Sequence, residues 1–228
     1  MKLLVVAAWE PELSRYREWL AQLPLGIELV LDTLGVGLVE ASIAMTRCVA
    51  REEPTAALLL GTCGAFGTAL AVGSVVSGAG VRLVDASVID GMAALPGPMP
   101  VEALFDRGLH DALVGAGARS VQIANTVGIT TDDGLAARLP RAGEASAAAA
   151  DVEHLEAFAF ARACAVAGIP CATALGVANV VGSTGRAEWL AGHARASQEA
   201  ADVAWRALGA IMTTLAMAQK ARTSTTTQ

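Results

Sequence analysis

Leu3-Leu4-Val5-Val6-Ala7-Ala8-Trp9-Glu10-Pro11-Glu12 is the stretch on which the fold class turns. The short apolar run Leu3–Ala8 is rich in leucine and valine and shows no helical spacing, so it reads as a strand buried on both faces. Pro11 stands where a helix opens, because its missing N–H belongs to a first turn that has no intrahelical partner anyway. Strand, tight acidic turn and helix make half of an α/β unit.

The same alternation continues outward. Apolar runs at Ile27–Leu31, Ala57–Leu60, Val72–Ser77, Val81–Ile89, Ser120–Asn125 and Cys171–Val177 read as further strands. Helical patterns fall at Pro11–Leu23, Leu38–Glu52, Val101–Gly115, Asp132–Leu139, Leu155–Ala167 and Arg186–Ala218. The two consecutive strand patterns between Val72 and Ile89, with no helix between them, predict a mixed sheet. No repeat or polar linker divides the chain, so a single α/β domain over residues 1–220 is expected, with a frayed Thr-rich tail at 221–228. Gly91 to Pro100, with three prolines, reads as a stiff loop, and Arg141 to Ala150 as a mobile loop over a site.

Composition removes several classes of function. In 228 residues, 16 Lys+Arg stand against 22 Asp+Glu, and 54% of residues are hydrophobic. Such a chain is not disordered, and its net charge of −6 lacks the basic cluster that a nucleic-acid partner requires. A mean hydropathy of +0.51 raises the question of a membrane span. The best candidate, Leu155 to Ser183, is broken at Gly168-Ile169-Pro170, so no membrane association is expected. The N-terminus turns acidic too soon for a signal peptide. Cys48, Cys63, Cys164 and Cys171 form no CxxC and read as reduced, buried thiols of a cytoplasmic protein. His110, His154 and His193 show no metal-ligand spacing, so neither a metal nor a cofactor is expected.

Three glycine turns stand near strand ends: Gly35-Val36-Gly37, Gly61-Thr62-Cys63-Gly64-Ala65-Phe66-Gly67 and Gly176-Val177-Ala178-Asn179. Each could be plain turn chemistry or a cradle for a small molecule. None is a Walker A loop or a dinucleotide fingerprint. Glu10 and Glu12 could cap the following helix, or one could face the crevice at the carboxyl end of the sheet, where α/β proteins collect ligands. Glu156 sits beside Ala157-Phe158-Ala159-Phe160, where a carboxylate must be paired or must hold a ligand. Asn179 could cap a turn or present donor and acceptor together to a heterocycle. Arg186 and Glu188 read as solvated first-turn residues.

In this order the pieces resemble the nucleoside phosphorylase and nucleosidase superfamily, from Lys2 to about Arg206. The opening ten residues are similar to the family's first strand and catalytic acidic turn. Leu34-Gly35-Val36-Gly37 resembles its second glycine turn, Gly61 to Ala65 its base and ribose loop, and Val152 to Glu156 its Glu-Met-Glu element with Leu155 in place of methionine. Gly176-Val177-Ala178-Asn179-Val180-Val181-Gly182 followed by Trp189 is most similar to the futalosine hydrolase branch.

The resemblance implies a single domain with a twisted mixed sheet flanked by helices, assembled as a homo-oligomer. It also implies cleavage of a purine nucleoside's N-glycosidic bond. On this basis Glu12 orients and deprotonates water, Glu156 holds the ribose hydroxyls, and Leu155 packs beneath the sugar. Asn179 contacts the purine near N7 and the six-position, and Thr62, Cys63 and Gly64 line the pocket. Gly37, Thr130 and Thr131 join the substrate-binding set. An amide at 179, where adenine-directed relatives carry Asp, favours a 6-oxopurine such as futalosine or inosine. Leu59, where a related phosphorylase branch has a phosphate-gripping arginine, favours water as nucleophile. Phosphorolysis and methylthioadenosine/S-adenosylhomocysteine-type hydrolysis stay open as alternatives. Leu175, where relatives often carry arginine, keeps open a nucleoside-binding protein that has lost the reaction.

Overall fold

β1 (Lys2–Ala7) is buried from Leu3 onward and runs parallel between β2 (Glu28–Thr33) and β3 (Ala56–Ala65) in the computed structural model, which describes residues 1–23, 26–141 and 149–225. The remaining strands are β4 (Val75–Leu83), β5 (Glu102–Leu104), β6 (Arg119–Asn125), β7 (Val152–His154) and β8 (Cys171–Val180). β3 pairs with β8, β8 with β4, β4 with β6, β6 with β7, and β7 returns to β3, so these five strands close a ring. The β3–β7, β4–β5 and β4–β8 pairs are antiparallel and the others parallel, which makes the sheet mixed as expected.

The helices are α1 (Ser14–Trp19), α2 (Leu38–Glu52), α3 (Ala86–Ile89), α4 (Arg107–Gly115), α5 (Asp133–Arg138), α6 (Ala157–Ala167) and α7 (Gly185–Thr225). Side chains alternate across β1 and β3. Leu4, Val6, Ala57 and Leu59 face one layer with Met45 of α2 and Phe160 of α6. Leu3, Val5, Leu58 and Leu60 face a second with Tyr16 of α1, Leu109 of α4 and Ile211 of α7. A sheet covered on both faces accounts for the apolar composition. α6 ends at Gly168, whose φ of 68° is the left-handed C-cap that glycine adopts without strain. The apolar stretch therefore divides into helix and strand at the expected break. No helix among the described residues is long and apolar enough to cross a membrane.

Several local expectations need correction. Val72–Ser77 and Val81–Ile89 are not two strands: β4 is continuous through Gly78-Ala79-Gly80, where the register against β6 shifts by one residue, and α3 follows it. A Cβ on Gly78 would lie 2.7 Å from Ile123 and Phe105 side chains, so these glycines serve a bulge under close packing and not a turn. Val101–Gly115 divides into β5 and α4 because Asp106 caps the helix, accepting the Leu109 N–H at 3.0 Å. Pro11–Leu23 is α1 between 3₁₀ turns at Glu10–Leu13 and Leu20–Gln22. The boundary expected at residue 220 falls inside α7, which continues to Thr225; residues 226–228, and 142–148 of the expected mobile loop, lie outside the described residues.

Candidate active site

The carboxyl ends of β1, β3, β7 and β8 meet around a cavity of about 400 Å³. Glu12, Thr62, Cys63, Gly64, Leu155, Glu156 and Asn179 all line it. The 3₁₀ turn after β1 separates the two acidic residues around Pro11. Glu10 points outward and pairs with Arg17 at 3.0 Å, while Glu12 turns inward and is only 7% exposed.

Glu12 is held by the Trp9 N–H at 3.2 Å and by the Thr62 hydroxyl at 3.4 Å. The Trp189 indole N–H donates to the same hydroxyl at 3.1 Å, so a chain of donors fixes the carboxylate from α7. Burial, with the neighbouring charge of Glu156, pushes the Glu12 carboxyl up to about 7. A carboxyl group so placed changes protonation state near neutrality.

Glu156 is the N-cap residue of α6 and buried. Its Oε1 accepts the Gly37 N–H at 2.7 Å. Gly37 has φ 94°, a conformation that L side chains rarely adopt, and it aims this N–H across the site. His154 lies beside it with Nδ1 3.2 Å from Glu156 Oε2, within ion-pair distance. Nδ1 also accepts the backbone N–H groups of Glu156 and Ala157, and burial holds the imidazole below its ordinary range. Nδ1 therefore serves as an acceptor and offers Glu156 Oε2 no proton, while the Glu156 residue lines the cavity.

A one-residue irregularity in β8 presents Asn179. Cys63 pairs with Val177, but Gly64 pairs with Asn179, so Ala178 is the extra residue. The Asn179 amide lies between two glycines: a Cβ on Gly64 would sit 3.0 Å, and one on Gly185 2.9 Å, from its Nδ2. One N–H of that amide donates to Val180 O at 2.9 Å. Burial drives the Cys63 thiol far up, so it serves as an unreactive wall.

The expected substrate-binding set is only partly brought together. Gly37 reaches the cavity through Glu156, and Val36 beside it is the lining residue. Thr130 is buried but bonds to Glu153, while Ile129 lines the cavity. Thr131 is exposed and outside the lining, and Leu175 is fully buried in the core. Glu188 is not merely solvated. It accepts the Val180 N–H at 2.8 Å and the Thr184 hydroxyl at 2.6 Å, fixing the turn after β8.

Sequence reasoning missed Trp9, Ile129, Glu153 and Arg186 as lining residues. Trp189 stacks on His193 with ring centroids 4.2 Å apart, and the Arg186 guanidinium lies 4.9 Å over Trp189. The i, i+3 spacing of Arg186 and Trp189 and the i, i+4 spacing of Trp189 and His193 on one helix carried that signal.

The sequence matches the family model described as "Phosphorylase superfamily" over residues 9–214. It is 31% identical over 172 residues to a futalosine hydrolase of Thermus thermophilus, covering 72% of this chain and 75% of that protein. Among solved structures, a 5′-methylthioadenosine/S-adenosylhomocysteine nucleosidase from Colwellia psychrerythraea 34H in complex with adenine superimposes with a TM-score of 0.80 at 19% identity, covering 92% of this chain and 95% of that one. The native futalosine hydrolase of Helicobacter pylori strain 26695 gives a TM-score of 0.80 at 14% identity, covering 92% and 97%. At these identities the structural likenesses speak to the fold.

Proposed function

The chain belongs to the phosphorylase superfamily, and from that premise we propose that it is an N-glycosidic bond hydrolase acting on a 6-oxopurine nucleoside, futalosine first, with release of hypoxanthine. The observation that carries this reading is the convergence of Glu12, Glu156 and Asn179 on one cavity of about 400 Å³.

The reaction passes through an oxocarbenium-like sugar, so the site must be negative around the ribose and must feed donors to the departing base. Glu12 accepts a proton from the attacking water. Glu156, with Oε1 already committed to Gly37, uses Oε2 to hold the ribose hydroxyls, and Leu155 packs against the sugar. Asn179 donates to the purine at N7 or the six-position. Thr62, Cys63 and Gly64 form the wall behind them, and Thr130 shapes the base side.

Water is the nucleophile. Leu59 is buried in the core, and among the described residues lining the cavity Arg186 is the one arginine or lysine, placed on its exposed edge. Hydrolysis of a 6-aminopurine substrate is the second reading, because a flipped amide at Asn179 also pairs with an amino group. Incubation with futalosine, inosine and methylthioadenosine, each with and without phosphate, tests both. Hypoxanthine release independent of phosphate is expected. Strict phosphate dependence, adenine release alone, or saturable binding without turnover would each overturn the assignment.

Val36 and Ile129 line the cavity yet are 64% and 53% exposed, and Val39 and Ile43 continue the apolar surface along α2. We assign this face to a homo-oligomer contact. The four free, buried cysteines support a cytoplasmic location.

A further inference from the structure

Glu153 is a buried carboxylate on the cavity wall that the reaction outlined above does not use. Its position follows from the ring of strands. Gly64 of β3 pairs on one side with Asn179 of β8 and on the other with Glu153 of β7. Directly paired residues project their side chains to the same face of a sheet, so Asn179 and Glu153 rise on either side of a residue that has no side chain. The interval is two strand spacings, about 10 Å between backbones, so the two side chains flank the stretch of cavity wall that they line together with Gly64.

The donors around Glu153 fix its role further. Oε1 accepts the hydroxyls of Thr126 at 3.2 Å and Thr130 at 2.5 Å, and Oε2 accepts the Thr130 N–H at 3.3 Å. An ionised carboxylate has about four acceptor positions and no donor, so Oε2 retains one acceptor position. Burial raises the Glu153 carboxyl from its ordinary value, and the threonine donors act in the opposite direction, favouring the ion.

A 6-oxopurine carries a proton on N1 beside its carbonyl; a 6-aminopurine carries a bare lone pair there. Asn179 discriminates poorly between the two, since an amide offers both a donor and an acceptor. An acceptor-only group on the opposite side does discriminate. We propose that Glu153 accepts the N1–H of the base and is the residue that selects 6-oxopurines over 6-aminopurines. The inference rests on the purine-nucleoside reading and adds a determinant to it. A 6-aminopurine would set its N1 lone pair against a buried carboxylate, and sites built around a hydrogen bond reject analogues that lack it far more strongly than apolar pockets do.

Binding of hypoxanthine, 1-methylhypoxanthine and adenine, measured by calorimetry on the wild-type chain and on Glu153→Gln, tests the assignment. The wild type should bind hypoxanthine at least tenfold more tightly than either of the others. In Glu153→Gln, whose amide can donate or accept, the hypoxanthine-to-adenine ratio should fall to within about threefold. Thr126→Val removes one donor to the carboxylate and should keep the wild-type preference. If Glu153 only ties down the loop from Thr126 to Thr130, both variants will weaken both bases in parallel, and the proposal falls alone. A wild type that binds hypoxanthine and 1-methylhypoxanthine equally also overturns it, even if the variant does not fold. A wild type that prefers adenine, or binds no purine base, overturns it together with the 6-oxopurine reading.

Discussion

Gly37 donates its backbone N–H to Glu156 Oε1 at 2.7 Å across 119 residues of sequence. The bond ties the glycine turn after β2 to the N-terminus of α6, and the second carboxylate oxygen lies 3.2 Å from His154 Nδ1. A charge-assisted bond of this length orients Glu156 before any ligand arrives. On the proposed role, in which Glu156 holds the ribose in ground and transition states alike, Glu156→Ala should raise KM and lower kcat together. Steady-state kinetics with futalosine or inosine decide this; a change confined to kcat would assign Glu156 to the chemical step alone.

Glu12 makes the opposite prediction. If, as proposed, it takes a proton from water, it should lose roughly 10²-fold or more in kcat on replacement by Gln, with KM little changed. Because its carboxyl is pushed up to about 7, kcat/KM of the wild type should rise about tenfold per pH unit below that value and level off above it. The pH–rate profile of the Gln variant should lack this limb. A limb that persists would move the base to another group.

The same carboxylate burdens the fold. Its folded value of about 7 stands above the ordinary value of 4.5, so the native state holds a proton that the unfolded chain has already released. The native state gains from that proton at low pH, and the gain is lost as pH rises from 4.5 through 7. Glu12→Gln should accordingly be more stable than wild type by about 3 kcal/mol at about pH 8.5, with the difference vanishing below about pH 4.5. Urea denaturation at the two pH values measures it; equal stabilities at the higher pH would mean that the carboxylate is solvated.

Gly64 pairs with Glu153 on one side and with Asn179 on the other, and neighbouring side chains close in on the position of its missing side chain. An added Cβ would lie 2.8 Å from Val181 Cγ2 and 3.0 Å from Asn179 Nδ2. Val181 is buried and stiff at χ1 and the Asn179 amide is tied to Val180 O, but both contacts are to side chains and not to backbone, so Gly64→Ala should fold, at a loss of about 1–3 kcal/mol. It should nonetheless displace the amide and lower kcat/KM at least tenfold. Wild-type kinetics in this variant would show that Asn179 does not need its present position.

What could be read from the sequence, and what could not, divides along physical lines. Leu38–Glu52 and the break at Gly168-Ile169-Pro170 were legible because periodicity, glycine and proline act locally. Glu156 stood out as a carboxylate beside an apolar helix and Asn179 as an amide ending an apolar strand, whereas only the family resemblance separated Glu12 from Glu10. β7 was not legible: three residues carry no period, and Val152–His154 becomes a strand only because β3 and β6 flank it. Glu153 was hidden for the same reason, since its opposition to Asn179 across Gly64 exists only in the register. Thr131 was the converse case, adjacent in sequence to Thr130 but turned to solvent.

Two glycines that look alike in sequence should respond oppositely to alanine. Gly176 lies in β8 where α7 crosses it, and a Cβ there would collide with the Ala196 carbonyl group. Both groups are backbone-fixed, so relief requires α7 to lift away from the strand, which would also shift Trp189 and its bond to Thr62 at the cavity. Gly176→Ala should be destabilised by more than about 3 kcal/mol and lose activity with its packing. Gly209 is exposed within α7, with nothing inside 4 Å of an added Cβ. There alanine removes only the entropic penalty of glycine in a helix, so Gly209→Ala should gain about 0.5–1 kcal/mol with catalysis untouched. Denaturation curves of the pair separate the two cases, and a mild effect at Gly176 would mean that α7 packs less closely on β8 than the Ala196 contact requires.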